Sequence, residues 1–394
     1  GKGGLLSQGY LRDAPAREYV GDGETAVFVL TDSDTGVERE RDGVRESIPP
    51  GKKYRAITVV TDRRVIILVG NAADGGDKRV TLPLVEVTAA RATDGKLVLT
   101  MSSGVTWRCH ADSDGIDEVA TYVDTAADTW REVEVTLDSV KRAIVDATAH
   151  RDDGEYEAAL DAMRAARDDV EAVQERTEAF TSQWPGDAMV DRIDGIRNRC
   201  LETAADIRVG YARATIDEGE AHWRDGEYEA ARTAFEDARE AFEAVQSLAP
   251  RHRTGIDDVD EALDRLDRSI ERLDDAPLRN AIDADRRARE SESCREALDA
   301  LAEARKRYAV VLELDPGTDE RRFAGDRDRI REQREDVTDR FVETALEVGT
   351  DALDAGEWYC GSGQEELAVE ELERAIEVLD RGRAVAESER PAHA

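Results

Sequence analysis

Five histidines, four cysteines and a dense population of carboxylates are the side chains from which this chain could build a reactive site. The histidines are His110, His150, His222, His252 and His393. General acid–base chemistry needs one of them within hydrogen-bond reach of a nucleophile. No HExxH, GxSxG, P-loop or helix-opening GxGxxG pattern supplies that context. His150 and His222 each stand a few residues before a glycine turn, where an imidazole packs against or caps the negative end of a helix. Cys109, Cys200, Cys294 and Cys360 are far apart and form no CxxC pair, so they read as small core residues rather than a zinc set. Acidic pairs such as Asp152-Asp153, Asp168-Asp169 and Asp274-Asp275 arise by chance in a chain with 90 carboxylates, and they do not point to a metal or to glycoside hydrolysis. Gly361-Ser362-Gly363 is too short to cradle a phosphate. The expectation is a protein with no catalytic residue, no metal site and no cofactor.

One group of cations stands apart. Lys52, Lys53, Arg55, Arg63 and Arg64 fall near the N-terminus, and residues 1–130 carry 16 Lys/Arg against 21 Asp/Glu, net −5. The remainder carries 39 against 69, net −30. These five are the candidate patch for an anionic lipid headgroup or an acidic partner; the plainer reading is ordinary loop and hairpin charge on a scaffold. The whole chain has a net charge of −35, and only seven of its 55 basic residues are lysine. Acid excess with little lysine and few aromatics resembles the proteome of a haloarchaeon, in which carboxylates keep the surface hydrated at high salt. At molar salt the Debye length is ~3 Å, so partners must be recognised by contact rather than by steering. Nucleic acid is excluded as a partner both by the negative charge and by that salt. No stretch approaches the ~20 apolar residues of a membrane span, and Gly1–Tyr10 lacks the apolar core of a signal peptide. A cytoplasmic location follows as the expectation, with membrane-peripheral attachment as its alternative.

Two kinds of element position these residues. Up to about Trp130 the pattern is that of strands. Thr25–Thr31 is followed by a polar, turn-rich stretch ending at Ile48-Pro49-Pro50-Gly51. Tyr54–Thr61 and Val65–Gly70 flank the Asp62-Arg63-Arg64 corner as a hairpin. Asn71–Asp77 is a loop, and Val80–Val87 is a strand interrupted at Pro83, hence an edge or a bulge. Ala89–Ala92 leads to the Asp94-Gly95 turn. Lys96–Ser102 and Val105–Cys109 flank Ser103-Gly104 as a second hairpin. Ile116–Trp130 is helical, with Ile116, Val119, Tyr122, Val123 and Ala126 on one face. About seven strands and then one helix capping an open end of the sheet is the order of a pleckstrin-homology (PH) domain. Thr61-Asp62-Arg63-Arg64-Val65-Ile66-Ile67 resembles the hairpin of bacterial and archaeal PH-like and GRAM-like domains. Val80–Val87 resembles that family's following strand, and Trp107 the aromatic of its last strand. The resemblance covers residues 12–131. It implies an interaction or oligomerisation module, and in some members phosphoinositide binding through basic residues near the first hairpin.

From Glu132 onward the pattern is helical and repeated. Asp153-Gly154-Glu155-Tyr156-Glu157-Ala158-Ala159 recurs as Asp225-Gly226-Glu227-Tyr228-Glu229-Ala230-Ala231, and Glu171-Ala172-Val173-Gln174 as Glu243-Ala244-Val245-Gln246, both shifted by 72 residues. Tyr228, Ala231, Phe235, Ala238, Phe242 and Val245 alternate spacings of three and four, as do Ile256, Val259, Leu263, Leu266, Ile270 and Leu273, giving narrow apolar seams. Tyr156, Leu160, Met163, Val170 and Val173 form the matching stripe of the first copy. Glu296–Ala300 aligns with Ala158–Ala162, which sets Cys294 where Tyr156 stands. Gly356-Glu357-Trp358 resembles the Gly-Glu-Tyr turn a fourth time. The reading is four helical hairpins over residues 132–390, each with a longer first helix, broken apart at Gln183-Trp184-Pro185-Gly186, Ala249-Pro250-Arg251-His252 and Asp315-Pro316-Gly317. Asp187–Arg224 forms one long helix, and Pro277 kinks or breaks its counterpart. Gly154, Gly226 and Gly356 close first helices, and Tyr156, Tyr228 and Trp358 pack back against the helix just closed. This turn resembles that of tetratricopeptide repeats, although the period is about double, so that family's peptide-binding positions do not transfer.

The expected architecture is therefore α+β and multidomain: a PH-like β-barrel or sandwich with a C-terminal capping helix, then an all-α array of long hairpins. The function expected from it is a non-enzymatic scaffold or adaptor that binds a protein partner. Self-assembly into a homo-oligomer through exposed seams, and membrane tethering through the N-terminal module, are the alternatives.

Overall fold

The computed structural model describes residues 10–112, 114–252, 259–314 and 323–388. Ile256, Asp315-Pro316-Gly317 and His393 lie outside them. Nine strands come first: β1 (Ala26–Asp32), β2 (Val37–Arg41), β3 (Val44–Ile48), β4 (Ala56–Thr61), β5 (Arg64–Val69), β6 (Lys78–Pro83), β7 (Val87–Thr93), β8 (Lys96–Met101) and β9 (Thr106–His110). Eight α-helices follow among the described residues: α1 (Ile116–Asp152), α2 (Tyr156–Thr181), α3 (Ala188–Asp225), α4 (Tyr228–Gln246), α5 (Val259–Glu290), α6 (Cys294–Glu313), α7 (Arg327–Gly361) and α8 (Glu365–Ser388). The α+β layout expected from sequence is the one observed.

The strands form two antiparallel sheets, ordered β1-β4-β5-β6 and β3-β2-β9-β8-β7. Ala56, Val60, Val65, Ile67 and Val69 face a core shared with the second sheet and with Ile116, Val119, Tyr122, Val123 and Ala126 of α1. Ile57, Val59, Ile66 and Leu68 point the other way and are covered by Leu11 and Ala16 of the N-terminal segment. Burial on both faces explains why β4 and β5 read as unbroken apolar runs instead of alternating. Pro83 ends β6, an edge strand that tolerates a missing N–H.

Two strand expectations need correction. The polar, turn-rich stretch after β1, in which no strand was assigned, contains the β2–β3 hairpin. Its strands, VERER and VRESI, are polar because β3 is largely exposed, while the Asp42-Gly43 turn between them is a strong hairpin signal. The run Val80–Val87 is not one strand. After Pro83 a 3-10 turn, Leu84–Glu86, carries the chain from the first sheet into β7 of the second.

The helices pair in sequence as four hairpins, with first and second members of 37 and 26, 38 and 19, 32 and 20, and 35 and 24 residues. The long–short alternation is as expected, and so is the unbroken α3. The capping helix does not stop near Trp130; α1 continues to Asp152 as the first helix of the first hairpin. Pro277 does not break α5. Proline removes one intrahelical bond and crowds the carbonyls a turn back, and there the Asp274 carbonyl accepts the N–H of Ala324 at 3.0 Å, just ahead of α7. The chain divides into two compact units. One comprises residues 1–210 and 248–256, the other 211–247 and 257–394.

Candidate interaction surfaces

The corner between β4 and β5 is a structural joint. The Thr61 hydroxyl accepts the N–H groups of Arg63 (3.2 Å) and Arg64 (3.0 Å), fixing the turn. The Asp62 carboxylate accepts the Thr25 N–H at 3.1 Å, and its carbonyl accepts the Trp130 indole N–H at 2.8 Å. A further acceptor bond from the Ala188 N–H ties it to the start of α3. Burial raises the Asp62 pKa in spite of these donors. Gly186 (φ +143°) passes so close that a Cβ there would meet the Asp62 Cβ at 2.5 Å. Beside it Trp184 packs on Phe28 and Tyr122, with ring centroids 6.1 and 5.3 Å apart. The loop between α2 and α3 is thus seated in the β-domain core.

The five cations do not converge. Lys52, Lys53 and Arg55 precede β4, whereas Arg63 and Arg64 follow it, some ~20 Å away along a six-residue strand. Arg64 is paired with Glu24 at 2.9 Å. Arg55 stacks on Tyr10, 4.6 Å from its centroid, and reaches Asp112 at 3.9 Å. Lys52 and Lys53 are exposed. Arg63 is exposed beside an open cleft of about 490 Å³ that includes Trp130, Glu134 and Arg192, the last two joined at 3.1 Å. The two groups lie at opposite ends of β4, with Arg63 and Arg64 together at the corner.

The described histidines all have partners. His110 meets Glu38 at 3.0 Å, His150 meets Glu155 at 2.6 Å, His222 meets Glu227 at 2.5 Å, and His252 lies against Arg251 at 3.1 Å. Cys109 and Cys200 are buried, which pushes their thiols up to about 12 and about 11. Cys294 and Cys360 are exposed, contrary to the core reading. Among the described residues no group of three or more His, Cys, Asp or Glu side chains forms a metal-binding set.

The repeat turns are geometrically alike. At Gly154 (φ +81°) the Glu155 N–H returns to the His150 carbonyl (2.8 Å) and the Gly154 N–H to Arg151 (3.0 Å). At Gly226 (φ +81°) the same bonds run from Glu227 to His222 and from Gly226 to Trp223. This pair of bonds is the Schellman closure, which needs a left-handed residue. The fourth turn is not at Gly356. There the same two bonds occur at Gly363 (φ +75°), from Gln364 to Tyr359 and from Gly363 to Cys360. Gly356 lies buried inside α7, where a Cβ would meet Leu372 Cγ at 2.8 Å, so it permits close helix packing instead. Trp358 is 64% exposed on the same helix. In the third hairpin Ser293 takes over the cap and accepts the Glu296 N–H.

The turn tyrosines also reach forward, Tyr156 while packing on a cluster that includes Ile144 and Ala147 of α1. The Tyr156 ring lies against Gly210 of α3, leaving no room for a Cβ (2.9 Å). The Tyr228 hydroxyl accepts the amide of Asn280 on α5 at 3.0 Å. Cys294 in turn bonds Glu347 on α7, whose charge raises the thiol's pKa. The first residue of each second helix therefore reaches the first helix of the next hairpin.

A groove between α2 and α3 has no marker in the sequence pattern. About 420 Å³ in volume, it is lined by Arg167 and Arg197, by Glu171, Glu175 and Glu178, and by Val170, Gln174, Cys200 and Leu201. Arg197 donates to Gln174 at 3.0 Å, and Gln174 donates to Glu178 at 2.8 Å. Farther along α3, Arg208 is partly buried and donates to the Ala204 carbonyl at 3.4 Å. Burial, and then the like charges of Arg167 and Arg164, hold its pKa below the usual guanidinium value. Arg164 and Arg167 of α2, which pair with Asp161 (2.5 Å) and Glu171 (3.8 Å), thus lie near Arg208 of α3 where the first two hairpins meet. Arg208 is one of 48 arginines, and only its spacing from Arg197 and Leu201 on a shared helical stripe could have marked it. No family model and no curated protein matches the chain, and no described helix is long and apolar enough to cross a membrane.

Proposed function

We propose that this protein is a non-enzymatic adaptor whose helical hairpins bind an acidic segment of a protein partner. The observation that carries the reading is Arg208 of α3, partly buried, bonded only to the Ala204 carbonyl among the described residues and near Arg167 of the α2–α3 groove, while Arg164 and Arg167 pair with Asp161 and Glu171. A partly buried guanidinium among like charges is costly unless a carboxylate joins it, and an arginine fork binds a carboxylate bidentately. At the salt concentrations that suit a chain of net charge −35, such contact pairing outlasts long-range attraction. That charge, with so few lysines, also supports a halophilic, haloarchaeal origin.

The N-terminal module fits a PH-like domain. With β1 and β2 taken as one bent strand crossing both sheets and β3 as an addition, seven strands precede a closing helix. It acts here as a docking base for the array, because its Asp62 corner is spent on the α2–α3 loop. Membrane tethering has weaker support, since only Lys52 and Lys53 stand exposed together. The test is titration of a labelled Glu-rich helical peptide in multimolar KCl, followed by anisotropy. Saturable binding that falls roughly tenfold or more in an Arg167→Gln/Arg208→Gln variant is expected. Absence of binding, or binding indifferent to both substitutions, defeats the reading.

A further inference from the structure

Within the array, the outward side of each second helix meets the following hairpin at repeating positions. The first residue does so through Tyr156, Tyr228 and Cys294, as described above. Four residues on stand Leu160, Arg232 and Leu298. Leu160 packs on a cluster containing Ile193 and Ile196 of α3. Arg232 is bonded to Asp274 of α5. Leu298, 2% exposed, shares a cluster with Val337 and Phe341 of α7. Seven further on stand Arg167, Arg239 and Arg305, of which Arg239 faces Asp267 of α5 at 3.8 Å.

Counted the same way from Glu365, the last hairpin places Val369 and Ile376 at these two positions. They are 54% and 62% exposed. Where the other copies carry arginine three times at the second position, this one carries isoleucine. The apolar surface extends onto α7. Leu346, 55% exposed, shares a groove of about 360 Å³ with Leu379, Arg383 and Ala386 of α8. Leu353 lies one heptad from Leu346, and Ile376 and Val369 lie one and two heptads before Arg383, so all four apolar residues share this side. Of ten large apolar side chains exposed among the described residues, six are on α7 and α8, so exposed apolar surface is concentrated on this hairpin.

We propose that this face is a self-association surface, closed by the same face of a second copy of the chain across a twofold axis. The positions continue an interface already made inside the array, so the cover they fit is a helical hairpin of this kind. A face of Leu, Val and Ile is complementary to itself, as an isologous contact requires. Opposed charges are not needed, so molar salt leaves the contact intact and strengthens apolar burial. The proposal is independent of the arginine groove, which lies between the first two hairpins.

The test is sedimentation equilibrium of the full chain over a concentration series in multimolar KCl. Wild type is expected to reach twice the 43.5 kDa chain mass. Val369→Arg/Ile376→Arg should remain monomeric with unchanged circular dichroism and melting, because α4 already holds arginine at both positions, Arg232 and Arg239. Leu353→Lys, on the other helix, should weaken the dimer too. Val135→Arg, at an exposed valine of α1, should not. A monomeric wild type, an arginine variant that dimerises normally, loss of the dimer through Val135→Arg, or a mass that climbs without stopping at two would each overturn the proposal.

Discussion

Asp62 shows what a single residue does in this fold. Its carboxylate holds two N–H groups, from Thr25 and Ala188, while burial raises its pKa. A raised carboxyl pKa means the folded state prefers the proton, so ionisation costs stability as pH rises through the unfolded value of ~3.9. Asp62→Asn keeps an acceptor and removes the buried charge, so its stability at neutral pH should stay within ~1 kcal/mol of wild type. Asp62→Ala strands both donors and should lose about 2–4 kcal/mol in denaturant titration. An alanine variant as stable as the asparagine variant would contradict the joint. The sequence marked this corner as a motif but read its neighbours as a ligand patch. Charge type is visible in a sequence, whereas the end of a strand at which a charge emerges depends on pairing register. Arg208 escaped for the related reason that burial and unlike or like neighbours are tertiary properties.

At the scale of elements, the turn glycines are separable by mechanism. Gly154→Ala and Gly226→Ala force a left-handed alanine and should each cost about 1–2 kcal/mol. Gly195, helical with open space at its Cβ, should gain up to ~1 kcal/mol from alanine. Equal effects at all three, measured by chemical denaturation, would refute the assignment. The first two turns were legible because Gly-Glu-Tyr is required there twice, by backbone angle and by contact with the next hairpin. The third was legible only through its flanking helix, since Ser293 caps without glycine. The fourth misled because Gly356-Glu357-Trp358 copies the letters of the turn while its glycine serves close packing against Leu372. The β2–β3 hairpin was hidden by its polarity, for apolar alternation fades in a strand exposed like β3.

For the molecule as a whole, charge is the dominant quantity. The surplus of 35 negative charges favours unfolding through self-repulsion wherever salt does not screen it. The melting temperature should therefore fall as KCl is reduced from multimolar to ~0.1 M, where the Debye length grows to ~10 Å. A midpoint independent of KCl would remove the halophilic reading. Composition made this legible at once, and the α+β division with it, because strand-forming and helix-forming patterns occupy separate stretches of chain.

The matching closures at Gly154 and Gly226 also bear on how such a chain can change length. Cutting after one glycine and rejoining after the other leaves Asp-Gly-Glu-Tyr intact at the splice, with the same donors and acceptors on either side. Unequal exchange between the two copies would then delete or duplicate a block without inventing a new turn. A gene built this way can gain or shed hairpins by recombination, and selection need only repair the seam residues that meet new neighbours.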